Sequence, residues 1–68
     1  SAEIRRLERL LAHAQRASLR ACDARGALPP GSSRARVTTA NARWARAAEH
    51  RDRILELLEA SRAAVART

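Results

Sequence analysis

The sequence predicts an all-α fold: an antiparallel, coiled-coil-like two-helix hairpin that self-associates into a four-helix bundle. Three observations carry this. Residues 3–25 and 34–67 contain no Gly and no Pro and are rich in Ala, Arg, Leu and Glu, all strong helix formers. Within each stretch the apolar residues return in steps of three and four, which places them on one helical face. Between the stretches lies Gly26-Ala27-Leu28-Pro29-Pro30-Gly31-Ser32-Ser33, holding every Gly and Pro of the chain. Neither helix can run through it. Sixty-eight residues make a single domain.

The first helix is expected at residues 3–25. Glu3 suits the positive N-terminal end of the helix dipole and Arg25 the negative C-terminal end. Gly26 reads as the stop, with two prolines beyond it. Its seam is Ile4, Leu7, Leu11, Ala14, Ser18 and Ala21, widened on one side by Leu10 and Ala17. Large side chains fill the first half and small ones the second. Arg6, Arg9, His13, Arg16 and Arg20 share the opposite face at the same helical spacing.

The turn, residues 26–33, is stiff rather than flexible because Pro29 and Pro30 fix their backbone angles. A serine of Gly31-Ser32-Ser33 can cap the second helix, with Thr38 as the rival cap.

The second helix is expected at residues 34–67. Its seam is Val37, Ala40, Trp44, Ala47, Ile54, Leu58, Ser61 and Val65, with Trp44 as a core residue. Arg51 interrupts the seam. A cation there can fix register, but the long stem of Arg is expected to carry the charge out to water. Beside the seam runs a second cationic stripe of Arg36, Thr39, Arg43, Arg46, His50 and Arg53, about 25 Å long at ~1.5 Å per residue.

If the two helices meet with their ends level at the turn, facing position numbers total 58. Ala14 then opposes Trp44, Ser18 opposes Ala40, Ala21 opposes Val37, Ile4 meets Ile54, and Leu7 comes near Arg51. Ser18 and Asn41 lie at the same end of the seam and are candidates for a hydrogen bond across it. Everything after about Leu57 then overhangs the start of the first helix.

Hydrophobic residues make up 46% of the chain, but Ala accounts for 17 of those 31 residues. Thirteen large ones remain, too few to make a lone hairpin more than marginal. One cysteine excludes an internal disulfide, so a second copy is the expected remedy. The contact set for that homodimer is Leu7, Leu11, Trp44, Ile54, Leu57, Leu58 and Val65.

Function is read mainly from charge. The net charge is +7 and all 14 basic residues are Arg. No acid lies between Asp23 and Glu49, so the turn end is strongly positive, while four Arg balance four acids from Ala47 onward. Such a balance favours an acidic partner. Arg6, Arg9, Arg16, Arg20, Arg36, Arg43, Arg46 and Arg53 are the expected contacts. The expectation is a non-enzymatic interaction module. The alternative is a DNA- or RNA-binding regulator, or a nucleoid-type protein, that grips phosphates with little sequence preference. No helix-turn-helix, zinc-finger or basic-zipper pattern is present. His13 and His50 fall on solvated faces of different helices, and Cys22 packs beside the seam. No catalytic, metal-ligating or cofactor-binding spacing joins them. No apolar run approaches ~18 residues, and the mostly Ala apolar face argues against a membrane surface. With no signal-peptide pattern and a lone Cys, a reducing cytoplasm is expected.

Overall fold

The computed structural model describes all 68 residues. Two helices, α1 (Ala2–Gly26) and α2 (Arg34–Ala66), pack antiparallel into a rod measuring 56 × 14 × 11 Å. Both helices therefore form where the apolar periodicity places them, with ends shifted by a residue. Neither is long and apolar enough to cross a membrane.

Each helix starts on a serine. The Ser1 hydroxyl accepts the Ile4 N–H at 3.2 Å, and the Ser33 hydroxyl accepts the Arg36 N–H at 3.2 Å. Ser33, not Thr38, is thus the cap of α2, satisfying one of the free donors of its first turn. In the first turn of α1, Arg6 binds Glu3 at 3.1 Å and, by hydrogen bond and charge, holds the Glu3 carboxyl below the usual carboxylate range. The end of α1 differs from the expected glycine stop. Gly26 is its last helical residue, and Ala27 caps it in a right-handed conformation (φ −87°). The left-handed glycine is Gly31 (φ +82°), inside the connection. There the Ser32 N–H and hydroxyl both donate to the Pro29 carbonyl, at 3.1 and 2.6 Å.

The register is the main correction. Arg51 reaches Ser18, Arg62 reaches Glu8, and Arg25 stacks on Trp44, pairs whose position numbers total 69 or 70. The expected total of 58 is off by about three helical turns. Consequently Ala14 does not oppose Trp44, and Asn41 stays exposed instead of bonding across the seam with Ser18. The overhang also changes ends. Ala2 and Arg67 are level, whereas Gly26 is level with Arg43. The first turns of α2, from Arg34 to about Ala42, project some 13 Å past the end of α1. Residues 27–33 climb this step through a β-turn at residues 29–32, closed by the Ser32 N–H to Pro29 carbonyl bond. Seven residues at up to ~3.3 Å each have the reach, and Pro30 presets the backbone angle at the second position of the β-turn, with Gly31 supplying the positive φ of the third.

The core is thin and lies toward the terminal end. Leu7, Ala14, Ile54 and Leu58 are its buried apolar residues, and Leu58 is the most enclosed at 1% exposure. Ser18 is the one buried polar residue, 4% exposed. Its hydroxyl accepts from the Arg51 guanidinium at 3.2 Å, and Arg51 also donates to Asp52 at 3.0 Å. Arg51 therefore does not merely escape to water: it ties the seam of one helix to the other.

That contact makes the first prediction. Arg51→Leu strips the buried Ser18 hydroxyl of its partner and should cost about 1–3 kcal/mol. Ser18→Ala in the Arg51→Leu background should recover part of that loss. Urea unfolding of the two singles and the double should give a coupling of at least ~0.5 kcal/mol; strict additivity would contradict the contact.

Candidate functional site

The arginines separate into distinct surfaces once the register is known. On α1, Arg9, His13, Arg16 and Arg20 are exposed on the face turned away from α2. Arg6 lies on the same stripe but is engaged by Glu3. On α2, Arg36, Thr39, Arg43, Arg46, His50 and Arg53 are all exposed. At ~100° per residue this stripe sits roughly a right angle from the seam, so it forms one flank of the rod. The two stripes do not merge into one surface, and His13 and His50 lie on different faces.

Only Arg6, Arg51 and Arg62 among the 14 arginines make ion pairs. Arg36, Arg43, Arg46 and Arg53 have no acidic partner at all. Four guanidiniums thus stand in line along α2 with their full donor sets open to solvent. Each presents a planar fork suited to a carboxylate or phosphate.

The basic flank borders an apolar trough where α2 steps past α1. Ala21, Ala24 and Leu28 form one wall and Ala35, Thr39 and Ala40 the other, with Arg36 and Arg43 also lining it. The trough holds about 420 Å³ and is partly open to solvent. It was not legible in the sequence, because it exists only in the stepped register.

The opposite flank has a different character. Glu8 pairs with Arg62 across the helices at 3.6 Å. Helical spacing places Asp52 and Glu59 on the same side, together with two exposed leucines, Leu19 at 64% and Leu55 at 36%. Acids and apolar groups gather here, with Arg5 the one unpaired arginine on the same side.

The expected self-association residues are distributed unevenly. Leu7, Ile54 and Leu58 are consumed by the contact between α1 and α2 and offer no outer surface to a second copy. Leu11 is half-buried, and so is Trp44, whose ring lies 4.4 Å beneath the Arg25 guanidinium. Leu57 and Val65 remain exposed. The cation–π stack of Arg25 on Trp44 was missed because the assumed register put them far apart. Leu10, Leu19 and Leu55 were also missed as outward-facing apolar residues. They fall beside the seam spacing, and only the packed partner helix shows that nothing covers them.

No three His, Cys, Asp or Glu side chains gather into a cluster. Comparison with known families, with curated proteins and with solved structures finds no match to this chain.

Proposed function

We propose that the chain is a non-enzymatic interaction module that binds an acidic partner through the basic flank of α2. The single observation behind this is the row Arg36, Arg43, Arg46 and Arg53: exposed, unpaired and aligned along one flank. One exposed ion pair contributes only about 0–1 kcal/mol. A row of four acting on one multivalent anion adds these contributions while the rod itself is already ordered. Charge at the step end also draws an acidic partner toward it from a distance, an effect that salt screens.

A second copy completes the reading. Two hairpins lying side by side along the Leu19 and Leu55 flank make a four-helix assembly. A chain of charge +7 repels its own copy least where acids offset its arginines, and on that flank Glu8, Asp52 and Glu59 stand against Arg5 and Arg62. Packing here leaves the basic flank free. Nucleic acid is the second reading for the acidic partner. The outer face of α1 favours it, because Arg9, Arg16 and Arg20 are exposed and unpaired there as well.

Two experiments follow. Arg43→Glu with Arg46→Glu should reduce retention on immobilised heparin and on a random-sequence DNA duplex by at least tenfold in affinity at low salt, with helicity by circular dichroism unchanged. Unaltered retention of this variant would contradict the flank. Arg16→Glu with Arg20→Glu tells the readings apart, since only a phosphate grip shared by both helices loses duplex affinity in that variant.

For self-association, light scattering should give a dimer mass that Leu19→Glu returns to monomer without loss of helicity. Leu19 is outside the hairpin core, so a charge there tests assembly rather than folding, unlike a charge at the enclosed Leu58. A wild-type monomer at all concentrations would rule out the four-helix assembly.

A further inference from the structure

The trough beside the basic flank says which acidic partner fits. We infer that it is the seat of an acidic amphipathic helix, which docks as a third helix across the step between α1 and α2. The inference rests on the basic-flank reading and narrows it from acidic partners in general to one kind.

The floor is made of small side chains. Ala21, Ala24 and Ala40 let a helix backbone approach closely, and Leu28 closes the end of the trough. The space of about 420 Å³ falls within the range of ligand sites, roughly 300–1,000 Å³. It is partly open and its α2 lining runs from Ala35 to Arg43, which suits a row of side chains from a docked helix better than an enclosed small molecule. Arg36 and Arg43 line the same trough without ion-pair partners, one helical repeat apart. A ligand filling the site must therefore offer apolar groups to the floor and carboxylates to the rim at the same time. A helix with Leu or Ile along one edge and Glu or Asp along the next meets both demands. A nucleic-acid backbone meets only the second and would leave the apolar floor open to water.

The thinness of the hairpin points the same way. Only four apolar residues are buried in the whole chain, all of them in contact range of the terminal half of the rod. A third helix at the step would bury alanines of the other half, which α1 and α2 leave half-covered or exposed.

The test uses the full chain and three fluorescent probes. One is a synthetic peptide of about five helical turns with Leu on one edge and Glu on the adjoining edge. The second has the same composition with the Leu residues scattered around the helix. The third is heparin. Anisotropy should show the amphipathic peptide binding at least tenfold more tightly than its scrambled control, since seating even one Leu supplies that factor. Ala24→Gln, an exposed helical position where Gln is readily accommodated, should erase the tenfold preference and leave heparin binding unchanged. Arg43→Glu should weaken all three. Equal binding of the two peptides, or a preference that Ala24→Gln leaves intact, overturns the third-helix seat while the flank reading stands on the heparin result. Failure of all three probes overturns both.

Discussion

The hydrogen bond from Arg51 to the buried hydroxyl of Ser18 is the constraint on which the rest of this small molecule depends. A seam built largely from alanine is nearly featureless, and several registers would pack with similar area. A polar pair inside such a seam distinguishes among them, because sliding by one turn leaves the buried Ser18 hydroxyl without its partner. With Ser18 opposite Arg51, the remaining contacts fall into place. Arg25 comes over Trp44, Arg62 reaches Glu8, and Ile54 and Leu58 close on the Leu7–Ala14 half of α1.

The same register creates the surfaces. Because α2 is the longer helix and the terminal ends are level, its surplus length projects beyond α1 at the connection. That step opens the alanine-floored trough and carries Arg36 and Arg43 along it. The connection, ordered by the Ser32–Pro29 turn and the left-handed Gly31, lays Leu28 against the step instead of folding back at once. Structure and charge thus concentrate at one end of the rod, while the other end carries the core and a balanced set of charges.

The two helices, their boundaries and the faces they bury were legible in the sequence, because a 3.6-residue period is written directly into the positions of Leu, Ile and Ala. The cationic stripes were equally legible, and every arginine named in them except the paired Arg6 is exposed and free. The register was not legible. The level-ended expectation takes a Gly/Pro connection to bring the helix ends level, but a seven-residue connection with one β-turn inside it spans a step just as well. Arg51 held the missing information. Read as a cation snorkelling to water, it carried no positional meaning; paired with Ser18, the seam's polar position on α1, it specifies the offset. Once the offset was wrong, the overhang fell at the wrong end, Trp44 acquired the wrong neighbours, and the trough could not be seen. The outward leucines were obscured for a simpler reason: at a 100° turn per residue, Leu19 and Leu55 fall beside the seam, and only the paired helix shows that nothing covers them.

The register is tested most directly by closing a disulfide from the native Cys22 to a second cysteine on α2. In the stepped register Cys22 is level with Ala48 on the same flank, and in the level-ended alternative it is level with Val37. Disulfide closure requires Cα atoms within about 4.4–6.8 Å, so the two arrangements are mutually exclusive. Mild oxidation at low protein concentration should close an intramolecular bond in the Ala48→Cys variant and none in Val37→Cys, read by mass and by loss of free thiol. Closure in Val37→Cys but not in Ala48→Cys would contradict the Ser18–Arg51 register and, with it, the step, the trough and the flanks derived from them.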